Sequence, residues 1–593
     1  MSDASGTSWS RVGHERDFAG EGPFTARANG VDVVLVRGAE GLKAYEGRCP
    51  HQGALLGEGE MEAGALVCRN HRWRFDVETG KRLGGARDGR CLTPCPLRIE
   101  DGTVAVDASA CAAKPEPQAT RRFKDLPGPP SLPLVGSAHL IDSSAVHLKL
   151  EEWSRTYGTP FAYRMGQLGV VVFADVEDFM PSLRDRPETF RRTSVLAPIF
   201  RELGIDGVFS AEGDSWRVQR RLSMEALSHR HLRTFYPSLA TVAERLRQRW
   251  IQAAERGLVL DLNDELKRFT VDVTTHLVFG YDIDTLRQDG DVIQRKLELI
   301  FPALNRRLYA LAPWWRIVRT PADRRVDRAV VDLHEWLRGL VSEARERLRN
   351  DAARAERPEN LLEAMLVARD EDGRPFSDET IFGNAMTMLL AGEDTTAYTL
   401  AWAVHHLTDA PLLVDALRTE IDAVLGTDPV PPTIEQANRL AYAAAVANES
   451  MRIRGVAPLI WGEANVDTVL GGVAIPKGGI VVALTRLSAT LPTSFGEPEV
   501  FRPTRWTEPA PPGVAHNPAT HQPFGSGPRI CPGRTLALLE MKLVLATLYA
   551  SFDVERVGES SDVRELLSFT MMPSGLRVRL HRRAPSARVS QPS

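Results

Sequence analysis

The stretch FGSGPRICPGR, residues 524–534, decides the fold of most of this chain. Phe524, Arg529 and Cys531, with two of the glycines, follow the spacing F-x-x-G-x-R-x-C-x-G. Glycines let a backbone approach a cofactor closely, and a tight loop can aim N–H groups at a sulfur and keep it a thiolate. The apolar run TLALLEMKLVLATLY follows at once and predicts a buried helix. The stretch therefore predicts a cysteine ligand between a glycine-rich loop and a helix.

Four further motifs precede this loop along the chain. LPGPPSLPLVG begins at Leu126, WRVQR at Trp216, AGEDTT at Ala391, and ESMR at Glu449, the last being followed by FRPTRW. In this order, and with the cysteine loop, they resemble the haem-thiolate monooxygenases, the cytochromes P-450, over about residues 124–582. The resemblance implies a mainly α (α+β) fold, a haem b and an oxidoreductase that uses dioxygen.

The resemblance also implies roles for single residues around the haem. Cys531 is the expected axial ligand of the haem iron, and Phe524 belongs to the same loop. Trp216, Arg220 and Arg529 match family positions that contact the haem propionates. A thiolate ligand pushes electron density toward the iron and favours cleavage of an O–O bond. Cys531 therefore carries the prediction of monooxygenase chemistry.

Two more motifs place charged groups inside helices. Asp394 and Thr395 interrupt an apolar helical run, which without the resemblance indicates only a polar kink at a cost in helix propensity. In the family these two positions support proton delivery to dioxygen. Glu449 and Arg452 are three residues apart, so their charges can meet on one helix, and Arg505 is the expected third member of that network.

The N-terminal end carries a second set of candidate ligands. Cys49 and His51 lie in CPHQG, and Cys68 and His71 lie in CRNHRWRFDVETG. Mixed thiolate and imidazole ligands suit zinc or an iron–sulfur cluster, but zinc sites more often pair like residues. In a Rieske 2Fe–2S centre two Cys hold one iron and two His hold the other. About residues 8–108 resemble the Rieske family, in its form without an additional cysteine in each loop; zinc is the alternative.

The pattern of the chain changes between the two ends. DVVLVRG and GTVAVDA predict short strands separated by glycine turns, whereas apolar positions beyond Gly136 recur at helical spacing. We therefore predict a multidomain protein with a small all-β Rieske domain at 1–108, a Pro-rich linker and hinge at 109–136, a cytochrome P-450 haem domain at 137–582 and a disordered tail at 583–593.

Composition excludes several other classes. A net charge of −4 and a pI near 6.4 argue against nucleic-acid binding, and the lack of a long apolar run argues against a membrane anchor. Six cysteines in 593 residues are too few for a disulfide scaffold and favour the cytoplasm. His516 and His521 lack the helix and the acid of a non-haem iron site, and are interpreted as loop histidines. Cys91 and Cys95 are interpreted as packing residues, and Cys111 as unliganded.

Together these features predict a monooxygenase with two redox centres. It would insert one atom of O2 into an organic, lipophilic substrate, and the fused Rieske cluster would relay electrons from an external NAD(P)H-dependent reductase. No G-x-G-x-x-G motif follows a predicted strand, so the reductase is expected to be a separate protein. The alternative is a peroxide-driven or rearranging haem enzyme whose Rieske domain is a redox sensor or docking module. The substrate pocket is expected around residues 190–210, 295–315 and 455–462.

Overall fold

The computed structural model describes residues 9–20, 22–70, 72–84, 90–112, 118–287, 292–310, 312–369 and 373–583. The predicted ligand His71 and residues 584–593 of the predicted tail lie outside these ranges. Among the residues that the structure describes, every helix is too short or too polar to cross a bilayer.

The N-terminal part folds as three small antiparallel sheets, with strand orders β1-β11-β10, β2-β3-β4-β9 and β5-β6-β7-β8. The strands are β1 Trp9–His14, β2 Phe24–Ala28, β3 Val31–Gly38, β4 Gly41–Glu46, β5 Glu60–Glu62, β6 Ala65–Val67, β7 Arg74–Asp76, β8 Arg82–Leu83, β9 Pro94–Cys95, β10 Leu97–Glu100 and β11 Thr103–Asp107. The two strands predicted from sequence correspond to β3 and β11. Each strand has few residues to bury, so the core of this part is small and includes Cys49 and Cys68.

Helices dominate the rest of the chain, as the apolar spacing predicts. They are α1 Ser109–Ala112, α2 Val146–Tyr157, α3 Val176–Arg184, α4 Leu196–Glu202, α5 Gly213–Ala226, α6 His229–Glu255, α7 Leu262–Phe279, α8 Val292–Leu308, α9 Pro321–Asn350, α10 Ala352–Glu356, α11 Leu361–Val367, α12 Asp378–Thr408, α13 Pro411–Leu425, α14 Ile434–Arg439, α15 Ala441–Ile453, α16 Thr485–Ala489 and α17 Arg534–Ser551. α12 and α17 pack on each other in the main core.

Short strands border the helical core. They are β12 Phe161–Met165, β13 Leu168–Phe173, β14 Phe190–Arg191, β15 Val259–Asp261, β16 Ile460–Ala464, β17 Thr468–Leu470, β18 Val473–Ile475, β19 Ile480–Ala483, β20 Phe552–Arg556, β21 Arg564–Ser568, β22 Thr570–Ser574 and β23 Arg577–Arg582. The largest sheet has the order β12-β13-β19-β16-β14. β13 and β19 run parallel, with Val170 opposite Ile480, and the other neighbours in this sheet are antiparallel.

α12 is the longest helix and runs through the core without a break at AGEDTT. Ser377 caps its start by accepting a hydrogen bond from the backbone N–H of Thr380, and Asp378 follows in the first turn, where a carboxylate favours the helix dipole. The polar motif in the middle lowers the helix propensity of this segment, but α12 stays continuous and most of it stays buried.

Part of the predicted linker packs against the C-terminal domain. The backbone N–H groups of Thr120 and Arg121 donate to the carbonyl oxygen of Gly472 at 3.0 and 3.1 Å, and the N–H of Ala162 donates to the carbonyl of Pro127 at 2.9 Å. These bonds hold the second half of the Pro-rich segment against the β17–β18 hairpin and against the edge strand β12 of the large sheet.

Candidate functional site

The loop that carries Cys531 is shaped by glycine. A 3₁₀ turn, Gly527–Arg529, precedes Cys531, whose backbone N–H donates to the carbonyl of Phe524 at 2.9 Å. Gly527 has a φ of +72°, and a Cβ at this position would collide with the carbonyl oxygen of Leu183. Only glycine fits both constraints, which explains the glycine in the motif.

The sulfur of Cys531 is held toward open space. Its side chain is accessible to solvent but lies among packed protein groups. This enclosure raises the pKa of the thiol, while the N–H of Gly533 and the charges of Arg220 and Arg534 oppose the rise. N–H groups and cations directed at the sulfur stabilise a thiolate, so the loop suits a metal ligand.

The middle of α12 also opens onto accessible space. Ala391 is exposed although most of the helix is buried, and the hydroxyl of Thr395 donates to the carbonyl of Ala391 at 2.8 Å. Asp394 is buried and accepts a hydrogen bond from the hydroxyl of Thr570 at 3.3 Å. Burial raises the pKa of Asp394 to about 6. An accessible hydroxyl and a carboxyl that titrates near neutrality are thus neighbours on one helix.

Three arginines form a cluster that is short of negative charge. Burial and mutual repulsion lower the pKa of Arg186 to about 10 and those of Arg192 and Arg529 to about 9. Glu212 faces the cluster and accepts from Nη2 of Arg529 at 2.5 Å. Nε and Nη1 of Arg529 have no hydrogen-bond partner among the described residues. Three guanidiniums around one carboxylate fit the two propionates of a haem b.

Arg186 and Arg192 were missed by the sequence analysis because neither lies in a recognisable motif. Trp216, which was predicted, is buried, with the guanidinium carbon of Arg529 4.5 Å from the centre of its ring. Arg220, also predicted, lies at the domain boundary. It contacts Glu58 through Nε and Nη2 at 2.8 and 2.9 Å, and Nη1 donates to the carbonyl of Ile530 at 2.5 Å.

The two predicted cluster loops bring their thiols together. Cys49 and Cys68 are buried, and the hydrogen bond between their side chains, with burial, raises the pKa of Cys49. The N–H of Cys49 donates to the carbonyl of Ala54, and that of Cys68 to the carbonyl of Trp73, both at 2.8 Å. The ring of His51 stacks on Trp73 with centres 4.2 Å apart.

This donor set fits a two-iron cluster. Within the described ranges, no three His, Cys, Asp or Glu side chains are grouped to hold one metal ion, and the fourth predicted ligand, His71, lies outside them. In a Rieske centre the two thiolates share one iron and the imidazoles hold the other. Two buried thiols in contact, with His51 on the same loop as Cys49, match that division of ligands.

The first cluster loop lies directly on the Cys531 loop. The carbonyl of Gln52 accepts from the N–H of Gly527 at 3.0 Å, and its side-chain oxygen accepts from the hydroxyl of Ser526 at 3.2 Å. The same oxygen accepts from Nδ2 of Asn70 at 3.1 Å, so Asn70 ties the second cluster loop to the first. Gly53 has a φ of +74°, and a Cβ there would collide with the side chain of Arg184.

Ion pairs surround this contact between the domains. Asp32 of β3, whose side chain is 2% exposed, pairs with Arg48 at 3.0 Å and with Arg217 of α5 at 2.7 Å. Both arginines also pair with Glu188, at 2.7 and 2.6 Å. Leu55 packs on Trp216 in an apolar cluster between the domains. Sequence patterns could not reveal the contacts that join the domains, because their partners, such as Asp32 and Arg217, are more than 100 residues apart.

The buried network predicted from ESMR and FRPTRW also forms. Glu449 accepts from Nε of Arg452 at 2.9 Å, from Nε of Arg505 at 3.1 Å and from Nε1 of Trp506 at 3.0 Å. All three charged members are buried. The network holds α15 to the segment that leads toward the Cys531 loop.

Comparison with known proteins agrees with this geometry. The cytochrome P-450 family model matches residues 126–580, and the Rieske 2Fe–2S domain model matches residues 8–91. The chain is 27% identical over 432 residues to the protein LUTEIN DEFICIENT 5, chloroplastic, of Arabidopsis thaliana, covering 71% of each chain. It is 27% identical over 468 residues to a self-sufficient cytochrome P-450 monooxygenase of Penicillium expansum, covering 77% of this chain and 43% of that one.

Human cytochrome P-450 3A5 is 27% identical over 441 residues, covering 73% of this chain and 86% of the relative. The chain thus spans less than half of the fungal relative and most of the human one. The predicted fold class, the enzyme class and the two cofactors, haem and a 2Fe–2S cluster, are confirmed. With the family match extending over most of its length, the chain belongs to the cytochrome P-450 family of haem-thiolate monooxygenases and carries a Rieske 2Fe–2S domain on its N-terminal side.

Proposed function

We propose that this monooxygenase inserts one atom of O2 into a lipophilic organic substrate and receives its electrons from an external NAD(P)H-dependent reductase through its own Rieske domain. One observation carries the proposal: the loop of Cys49 and His51 rests on the loop of Cys531 through Gln52. Electron transfer falls steeply with distance, so adjoining ligand loops favour direct transfer between the domains. We further propose domain limits of 1–108 and 137–582, joined by residues 109–136.

Each site residue then has a defined task. When bound, the haem supplies the O–O bond cleavage that thiolate ligation favours. Cys531 would be the thiolate ligand, and Arg186, Arg192 and Arg529 would hold the propionates. Thr395 offers a hydroxyl that faces accessible space, and Asp394 beside it is buried with a raised pKa, so the carboxyl can hold a proton near neutral pH.

The proposed relay has the ligand set Cys49, His51, Cys68 and His71, of which the first three are described. Phe524 would support the Cys531 loop through its carbonyl, and Trp216 would support Arg529 through its ring. Arg220 remains a candidate for a propionate contact on sequence grounds, but its contacts favour a role in domain docking.

An aromatic cluster supports a lipophilic substrate. Phe200 and Phe209 stack with ring centres 5.4 Å apart, and Phe569, in the turn between β21 and β22, lies 6.1 and 6.0 Å from them. Phe301 of α8 stacks on Phe569 at 5.8 Å. Two of the three predicted pocket segments thus converge on Phe569, a residue that the sequence analysis did not identify. Apolar rings favour an apolar ligand.

The setting of the enzyme is also part of the proposal. The six cysteines, all within the described residues, form no disulfide, which favours a reducing compartment such as the cytoplasm. The substrate, O2 and the reductase are its proposed partners.

Anaerobic photoreduction under carbon monoxide tests the relay. In the full chain we expect bleaching of the cluster absorbance to precede the ferrous-CO band of the haem. A chain shortened by residues 1–108 should lose turnover with the reductase and retain peroxide-driven turnover. If the shortened chain turns over normally with the reductase, the relay is wrong, and the Rieske domain is a sensor or docking module.

A further inference from the structure

Arg534 occupies an unusual place between the two domains. It is the first residue of α17, three residues after Cys531, and its guanidinium carbon lies 5.7 Å from the ring centre of Phe524. Arg534 and Cys531 line a small cavity at the domain boundary, and Arg69 and Asn70, the two residues that follow Cys68, line the same cavity. One cation thus borders the ligand loops of both redox centres.

The other cations around this cavity have partners that satisfy them. Arg220 is paired with Glu58, and Arg69 donates to the carbonyl oxygens of Met224 and Leu227. Arg534 has no carboxylate in ion-pair distance among the described residues. Burial lowers the pKa of Arg534, and the groups whose negative charge raises it are Cys531 and Cys68 as thiolates. A cation in this position is stabilised chiefly when those sulfurs are thiolates.

We propose that Arg534 is a shared electrostatic positioning residue whose single charge raises the reduction potentials of both the cluster held by Cys68 and the haem held by Cys531. Reduction adds one negative charge to either centre, and a nearby cation in a partly desolvated boundary favours that charge. Because one guanidinium serves both centres, its charge shifts both potentials in the same direction.

The test is a redox titration of the full chain with mediators, following the cluster by electron paramagnetic resonance and the haem by absorbance. Arg534→Gln should lower the midpoint potentials of both centres. We expect the reduced-to-oxidised ratio of each, at a fixed applied potential, to fall about tenfold, which is ~59 mV for a one-electron centre. Arg534→Lys keeps the charge and should restore most of both shifts.

Arg217→Gln is the matched control. Arg217 is also a boundary arginine, but its charge is already satisfied by Asp32 and Glu188. In this variant Asp32 keeps Arg48 and Arg220 keeps Glu58, so the domains stay docked, and no cation near the sulfurs is removed. Both potentials should therefore stay unchanged. Equal shifts in the two Gln variants would mean that undocking moves the potentials, and a shift of the haem alone in Arg534→Gln would mean that the cation is not shared. Either result overturns the proposal.

This inference depends on the two cofactors and not on the direction of electron flow. The potentials are equilibrium quantities set with mediators, so they can be measured even if the relay fails. A failed photoreduction test with shifted potentials would refute the relay alone. Intact relay with unshifted potentials would refute the role of Arg534 alone. The fold of each variant is checked by thermal unfolding and by its cluster and haem content.

Discussion

Glu58→Gln tests how the domains are held together. Glu58 and Arg220 are 162 residues apart, their side chains are 12% and 4% exposed, and two hydrogen bonds of 2.8 and 2.9 Å join them. Removing one partner of a buried pair leaves an uncompensated charge and costs about 3–5 kcal/mol. Arg220 keeps its hydrogen bond to the carbonyl of Ile530, and the glutamine keeps one acceptor oxygen. We therefore expect the free energy of docking to weaken by about 2–3 kcal/mol, or roughly 30- to 150-fold.

The readout is the rate of cluster-to-haem electron transfer after a photoreducing flash. Glu58→Gln should slow this transfer and should leave the haem content unchanged, because Glu58 belongs to the Rieske domain. Arg220→Gln should slow it as well. The double variant should lose less docking free energy than the sum of the two single variants, because no buried charge is then left without a partner.

Glu78→Gln is the control for this series. Glu78 pairs with Lys43 at 2.5 Å, both residues belong to the Rieske domain, and both side chains are partly exposed. The same chemical change should therefore leave docking intact. If Glu58→Gln transfers electrons as fast as Glu78→Gln, or if the two interface substitutions are strictly additive, the pair does not hold the domains together.

Further variants test the haem side and the relay. Cys531→Ser should abolish the ferrous-CO band of a thiolate haem and leave the electron paramagnetic resonance signal of the Rieske centre; a normal thiolate spectrum in this variant would refute the ligand assignment. Thr395→Ala should retain haem and divert oxygen to peroxide, measured as peroxide formed per NAD(P)H consumed, because its hydroxyl is the accessible one in the motif; unchanged coupling would require another relay. The pKa of Asp394 is raised to about 6, so this carboxyl is protonated below that pH and charged above it. Product formed per NAD(P)H should fall as pH rises through 6 in the parent chain, and this limb should be absent in Asp394→Asn; an identical pH profile would exclude Asp394 as the titrating group. The chain shortened by residues 1–108 should accept electrons from an added acidic ferredoxin with strong salt dependence, whereas the full chain should not, because its Rieske domain covers Arg217 and Arg220.

The fold could be predicted where the determining pattern is local. The apolar run after the cysteine loop predicted α17, and the apolar run around AGEDTT predicted α12. Both could be predicted because helical spacing depends only on residues a few positions apart. The propionate cluster could be predicted only in part, because Arg186 and Arg192 become neighbours of Arg529 through tertiary packing. Asn70 lies in the predicted second cluster loop, but its task in joining the two loops depends on a tertiary contact with Gln52 that the sequence does not show.

The arginines around Cys531 show how one short loop can serve a cofactor and a neighbouring domain without competition. Arg217 and Arg220 meet carboxylates of the Rieske domain, Asp32 and Glu58, at 2.7 and 2.8 Å. The guanidiniums of Arg186, Arg192 and Arg529 share Glu212, so their remaining charge is available to propionates. Arg534, between the two groups, lies over the ring of Phe524 and is acted on by the sulfur ligands of both centres. Each set of cations therefore has its own anion: the carboxylates of a protein domain, those of the haem, and the thiolates that join both centres. If a substitution moved Arg220 from Glu58 to a propionate, haem binding would gain an ion pair and domain docking would lose one. The bidentate pair with Glu58 therefore keeps docking and haem binding independent.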